Sequence, residues 1–174
     1  LFTAEYTIMA KVYQLQSVQR LPAALDKVWD FFSNPRNLFT ITPPFLNLVV
    51  TNQPYGERMY AGQVITYKVK PLLGVPLFWM TEITHVQEGK LFVDEQRQGP
   101  YKLWHHQHHF VPVEGGVEMT DIVHYAVPFG PLGSLANALT IRDQLHKIFT
   151  FRYHKIVELF GPWPGEQDMQ LTIR

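Results

Sequence analysis

Cysteine is absent from the chain. That removes disulfides, thiol nucleophiles and cysteine-based zinc sites, and it suits a cytoplasmic setting. Neither sign of charge is in excess: Lys and Arg number 15, Asp and Glu 15, and the formal net charge is zero. Without a basic field to hold a phosphate backbone, no nucleic-acid partner is expected. No apolar run reaches ~18 residues, so no transmembrane segment is expected. The opening LFTAEYTIMA has no basic region before its apolar residues and makes a poor signal peptide. Residues 1–10 are read as an N-terminal extension, with Met9 a candidate start. No phosphate loop, Ser-His-Asp signature, paired-carboxylate motif or dinucleotide fingerprint occurs, which leaves no recognisable group-transfer machinery.

What is present is a core. The 174 residues are 46% apolar and 14% aromatic, enough for one folded domain of ordinary size. The domain is placed at 11–161, with 162–174 an irregular C-terminal tail. Lys11–Leu21 reads as a strand ended by Pro22. Ala23–Phe32 reads as a short helix, with Leu25, Val28, Trp29 and Phe32 at helical spacing. Ser33-Asn34-Pro35 stops it, and a second short turn follows over Arg36–Phe39. The spacing then predicts six strands: Phe45–Asn52, Gly62–Val69, Leu77–Val86, Lys90–Arg97, Tyr101–Val113 and Val117–Val127. Turn-rich breaks separate them, at Gln53–Gly56, Pro71–Pro76, Glu88-Gly89, Gln98–Pro100 and Glu114–Gly116. Such short connections make neighbouring strands antiparallel. Ser134 as N-cap and Gly161-Pro162 as stop enclose one helix of about 27 residues, roughly 40 Å long. Its apolar side is Leu135, Leu139, Leu145, Ile148, Phe149, Ile156 and Phe160, with Arg142 and Arg152 close by. The order gives an α+β fold: a curved antiparallel sheet wrapped around a long C-terminal helix, with two short helices after the first strand.

The segment GPYKLWHHQHHF at Gly99–Phe110 holds four of the eight histidines. As a strand it has one face of Trp104, His106, His108 and Phe110 and another of Leu103, His105, Gln107 and His109. A two-residue turn at Gly115-Gly116 opposes Phe110 to Asp121, His108 to Val123, His106 to Tyr125 and Trp104 to Val127. The apolar set Val117, Met119, Val123, Tyr125 and Val127 then points inward with Trp104, His106, His108 and Phe110. A Glu88-Gly89 turn adds Trp79, Thr81, Ile83 and His85, with Phe92, Asp94 and Gln96. A three-residue connection at Gln98–Pro100 opposes Asp94 to Trp104 and joins the two groups.

The expected inner wall is Trp79, Asp94, Trp104, His106, His108, Phe110, Asp121 and Tyr125, covered by a helix bearing Arg142 and Phe149. It is too polar for a plain core and too aromatic for a plain surface. Arg142 is within reach of one of the acids, and Phe39, Pro43, Pro44 and Phe45 are candidates for the lip of a cavity. His106 and His108 have three readings: general acid/base groups with Tyr125 as donor, groups that orient a ligand, or a satisfied structural pair. A metal held by His106, His108 and a carboxylate lacks a secure third ligand, because strand spacing supplies only two. No metal and no cofactor are expected on this ground.

Four segments resemble a known family: LPAALDKVWDFFSNPRNLFTITPPF at Leu21–Phe45, FVDEQRQGPYKLWHHQHHF at Phe92–Phe110, MTDIVHYAVPFGPLG at Met119–Gly133 and IFTFRY at Ile148–Tyr153. The chain resembles the SRPBCC superfamily, the START-like helix-grip domains that include birch-pollen-allergen-like proteins and polyketide cyclases. It is most similar to a bacterial subgroup known as ligand-binding SRPBCC proteins. The resemblance spans roughly Lys11–Gly161 and implies a ligand cavity between sheet and C-terminal helix. The expected partner is a small hydrophobic molecule, lipid-, polyketide- or aromatic-like. The alternatives are a cyclase/dehydratase-like enzyme using His106 or His108, and a co-chaperone-like interaction module.

Overall fold

The structure, a computed structural model, describes residues 11–52, 56–70, 75–165 and 169–174. The extension 1–10, most of the breaks at 53–56 and 71–76, and residues 166–168 lie outside them.

Strand β1 (Val12–Leu21) alternates strictly, with Tyr13, Leu15, Ser17, Gln19 and Leu21 buried. Pro22 ends it, and α1 (Leu25–Phe32) follows, burying Val28, Trp29 and Phe32. The Trp29 indole stands edge-on to the Phe110 ring with centroids 5.5 Å apart, which fastens the helix to the sheet. A 3-10 turn spans Pro35–Leu38, and a second, at Pro44–Leu46, replaces the start of the strand expected from Phe45. Pro43-Pro44 brings this about: proline fits the first turn of a helical segment and cannot donate to a sheet ladder. Only Val49–Val50 remains as β2.

The meander continues with β3 (Gln63–Val69), β4 (Leu77–Gln87), β5 (Leu91–Gln98), β6 (Leu103–Val113) and β7 (Gly116–Ala126). A short α2 (Gly130–Ala136) leads through a π-helical turn (Asn137–Ile141) into α3 (Arg142–Phe160). The helical segment thus starts four residues before Ser134, at Gly130. Gly133 is required there, because a Cβ would sit 1.9 Å from the Pro128 carbonyl oxygen.

The tail is not irregular throughout. Gln170–Ile173 forms β8 and pairs antiparallel with β1, Leu15 opposite Ile173 and Val18 opposite Gln170. Among the described residues the sheet therefore has eight strands, in the order β2-β3-β4-β5-β6-β7-β1-β8.

Two turns differ from expectation, for separate reasons. In the β6–β7 hairpin Val113 pairs with Gly116, so the turn is Glu114-Gly115. Gly115 takes φ +88°, whereas a Cβ on Gly116 would lie 2.0 Å from the Leu21 carbonyl oxygen. One glycine bends the chain; the other lets β1 approach β7. The pairs are therefore Phe110–Met119, His108–Asp121, His106–Val123 and Trp104–Tyr125, two residues from the expected register and with the same parity. Between β4 and β5 the loop is longer, and an irregularity between Ile83 and His85 restores the register, so Ile83 opposes Asp94 while His85 opposes Val93. His85 is exposed and does not join the inner face.

The helix stripe is also corrected. Leu145, Phe149 and Ile156 are buried, but Leu135 and Leu139 are exposed (57% and 72%). Among the described residues three apolar clusters fill the interior: one around Trp29, Phe32, Phe92, Phe110 and Met119, one around Leu15, Val123, Tyr125, Leu145 and Phe149, and a smaller one of Leu48, Ile65, Tyr67 and Val69.

Candidate functional site: a histidine–aspartate box on a cavity wall

His106 and His108 are two apart on β6 and project from the same face, with ring centroids 3.8 Å apart. Their neighbours in the sheet supply the acids. Asp94 on β5 stands opposite His106, and Asp121 on β7 stands opposite His108. Each carboxylate reaches both rings. Asp94 Oδ2 lies 2.8 Å from His108 Nε2 and 3.4 Å from His106 Nδ1. Asp121 Oδ1 lies 3.1 Å from His106 Nε2 and 2.7 Å from His108 Nδ1, the latter contact poorly aligned for a hydrogen bond. The four side chains thus form a closed box, with His106, His108 and Asp121 buried. Phe92 stacks on His108 with centroids 4.0 Å apart, and Trp104 stands edge-on to His106.

Arg152 on α3 closes the box, its Nη1 3.7 Å from Asp121 Oδ1. It occupies the inner stripe of Leu145, Phe149 and Ile156, at a position where another apolar residue would fit. Arg142 does not reach the acids; its guanidinium donates instead to the Ile173 carbonyl of β8. A charged residue inside an apolar stripe was the available signal for Arg152, and Arg142, three residues before Leu145, carried the same one.

The protonation of the box follows from burial and contact. Burial disfavours charge on every member, but the Arg152 guanidinium, the hydrogen bond from His106 and the imidazole of His108 close by hold Asp121 well below the usual carboxylate range. Asp94 is likewise lowered, because the imidazoles outweigh the cost of its burial. His106 is lowered by burial and by the neighbouring His108. His108 is raised despite its burial, through its close contact with Asp121, its hydrogen bond to Asp94 and the charges of both acids. Two carboxylates beside one guanidinium leave one negative charge, which a proton on an imidazole of the box would cancel.

The box forms part of the wall of a cavity of about 530 Å³ between sheet and C-terminal helix. Its lining includes Trp79, Asp94, Trp104, His106, His108 and Phe149, but not Phe110, Asp121, Tyr125 or Arg142. Phe110 lies in the apolar cluster with Trp29, and the Tyr125 hydroxyl donates to Asn137 Oδ1 at 3.0 Å. Burial pushes the Tyr125 phenol up to about 12. Thr81, expected on the inner face, lines the cavity, and so do Tyr67 and Tyr101, which were missed. Tyr67 and Trp79 are cross-strand partners, and the Thr81 hydroxyl bonds both the Tyr67 hydroxyl (2.7 Å) and the Trp79 indole (3.1 Å).

At the lip, the segment after α1 contributes Leu38, Ile41, Thr42 and Leu46 in place of Phe39, Pro43, Pro44 and Phe45. Across the opening, Phe129 and Leu132 line the cavity while 80% and 74% exposed. His105 and His109 lie on the outer face of the sheet, joined through Gln107, with Glu95 bonded to His105 at 3.0 Å. No helix among the described residues is long and apolar enough to cross a membrane.

An antiparallel sheet curved over a long C-terminal helix, with a cavity between them, defines a helix-grip α+β protein. Solved structures agree. The START superfamily protein from Mycobacterium smegmatis superposes with a TM-score of 0.62 over 84% of this chain and 99% of that one, at 11% identity. Ginseng major latex-like protein 151 from Panax ginseng gives 0.59 over 87% and 99%, at 12% identity. The nucleoside-diphosphate sugar epimerase from Corynebacterium glutamicum gives 0.57 over 82% of this chain and 28% of that one, at 25% identity. In its fold, the chain is similar to these START-like helix-grip structures. No family model matches the sequence, and no curated protein does.

Proposed function

We propose that this protein binds a small hydrophobic molecule, lipid-, polyketide- or aromatic-like, in the cavity between sheet and helix. The observation that carries the reading is the cavity itself: about 530 Å³, walled by aromatic and aliphatic side chains, with Asp94, His106 and His108 gathered at one patch. Such a shape suits a ligand with an apolar body and one polar end. The body would rest against Trp79, Trp104 and Phe149, and the polar end would meet His106, His108 and Asp94. Asp121 supports that patch from behind, and Phe110, Tyr125 and Arg142 hold the surrounding structure. This reading takes up the bacterial ligand-binding subgroup that the sequence resembles.

The test is native mass spectrometry of the protein purified from its own host, paired with titration of 1-anilinonaphthalene-8-sulfonate. A co-purified small molecule, or saturable probe binding that an added fatty acid displaces, supports the reading. Protein that carries no molecule and takes up no probe overturns it.

A further inference from the structure

We propose that His106, His108 and Asp94 form a binding site for one divalent transition-metal ion, open toward the cavity and braced from behind by Asp121. The proposal goes beyond ligand binding and does not depend on it. The objection from sequence was a missing third ligand, and the β5–β6 register supplies it by setting Asp94 opposite His106.

Convergence is the first argument. One donor atom from each of the three side chains lies within 4.8 Å of the others. Asp94 Oδ2 is 2.8 Å from His108 Nε2 and 3.4 Å from His106 Nδ1. Donors bound to one ion at about 2.0–2.2 Å stand roughly 3–3.5 Å apart, so the 3.4 Å spacing matches a shared coordination sphere and the 2.8 Å contact has only to open slightly to join it.

The far side of each ring gives the second. The nitrogens that do not face Asp94 both face Asp121 Oδ1, at 3.1 and 2.7 Å. A carboxylate behind a metal-bound imidazole fixes its tautomer and makes it a better donor. Here one carboxylate is hydrogen-bonded to His106 and lies against His108, because the two rings project from alternate positions of one strand. Arg152, 3.7 Å from Asp121, anchors that carboxylate in turn.

Charge and access complete the case. Two carboxylates face one guanidinium, and the remaining negative charge needs a proton or a cation beside it. Asp94, His106 and His108 line the cavity, while Asp121 does not. A metal held by the three would therefore turn its free positions toward the cavity. Three protein ligands with open positions mark a metal that binds or activates something, as opposed to a structural ion. Two imidazoles and one carboxylate suit zinc, ferrous iron or cobalt better than calcium or magnesium. The open positions would take an oxygen donor: water, or the carboxylate or enolate end of a molecule whose apolar part lies against Trp104 and Phe149.

The test uses the full chain, stripped with chelator and titrated with Co²⁺ alone. Visible d–d absorption that saturates at one ion per chain is expected. His106→Gln, His108→Gln and Asp94→Asn should each weaken binding by at least about 100-fold. Asp121→Asn should weaken it by about 10–100-fold while the saturated spectrum persists, as for a positioning residue. The double variant His105→Gln/His109→Gln on the outer face should bind as the unaltered protein does. Absence of d–d bands at saturating Co²⁺, undiminished binding by Asp94→Asn, or loss of binding in the outer-face variant overturns the proposal. Should the inner variants fail to fold, NMR of the unaltered protein decides. Paramagnetic broadening centred on Trp104 and Phe149 supports the site, and broadening centred on His105 and His124 overturns it.

Discussion

Asp94 stands directly across the β5–β6 ladder from His106, yet its shorter contact, 2.8 Å, is with His108 Nε2. A carboxylate that bridges two neighbouring imidazoles in this way ties two strands together through side chains as well as backbone. The same holds for Asp121 on the other side, so three adjacent strands share one buried polar unit.

Removing one member of that unit should be costly. Asp121→Ala leaves Arg152 without its carboxylate and both imidazoles without one of their two acids. A loss of about 3–5 kcal/mol is expected, the range for breaking a buried charged network. Glu118→Ala, which removes the exposed Arg20 pair on the same strand, should cost less than about 1 kcal/mol. Urea denaturation of the two variants checks the contrast.

Acid should destabilise the metal-free protein through its aspartates. Asp94 and Asp121 are lowered in the folded state, so their contribution is fully present above the ordinary carboxylate value near 3.8. It is lost as pH falls through the folded values. His108 is raised, so its contribution is present below about 6.5 and is lost as pH rises through its folded value. His106 is lowered and acts oppositely, opposing folding as pH falls below about 6.5. Urea midpoints measured across pH in the presence of chelator should therefore decline toward both ends. Asp121→Asn should flatten the acid limb and His108→Gln the alkaline one.

The two hairpin glycines should respond unequally. Gly115→Ala places an L residue at φ +88°, at a cost of about 1–2 kcal/mol. Gly116→Ala puts a Cβ 2.0 Å from a backbone oxygen of β1 that cannot swing aside as a side chain can. The larger loss is expected at Gly116, above about 2 kcal/mol, since two paired strands must separate. Equal costs in thermal or urea melts would contradict the turn assignment.

Blocking the cavity mouth should separate binding from stability. Ala136 lines the cavity and is exposed, so Ala136→Trp adds bulk at the opening without overpacking the interior. Affinity for 1-anilinonaphthalene-8-sulfonate should fall by at least about ten-fold, which is ~1.4 kcal/mol. The urea midpoint should stay close to that of the unaltered protein. Unchanged probe affinity would place binding elsewhere.

Faces were legible in the sequence, and partners were not. Strand side chains alternate with period two, so parity put Trp104, His106 and His108 together on the inner face whether or not the register was right. Both hairpin registers on either side of β6 were displaced by two residues, a shift that keeps every side chain on its face. The exact pairs changed: Asp121 faces His108, and Asp94 faces His106. His85 was misplaced because the irregularity beside it breaks the period.

The helix was legible as a helix but not as a surface. Apolar spacing found Leu145, Phe149 and Ile156, yet it also enrolled Leu135 and Leu139, which are exposed. The π-helical turn at Asn137–Ile141 rotates the stripe, so one helical wheel does not describe both ends.

The sequence by itself determined the α+β order, the strand faces and the gathering of polar groups on one inner wall, because each rests on local periodicity and turn chemistry. Only the tertiary structure decided which acid meets which imidazole, that Arg152 and not Arg142 reaches them, and that β8 completes the sheet. Those choices depend on turn length, on the close approach of Gly116 to Leu21, and on how a 19-residue helix lies across eight strands. They are distances between segments far apart in the chain, and no local pattern encodes them.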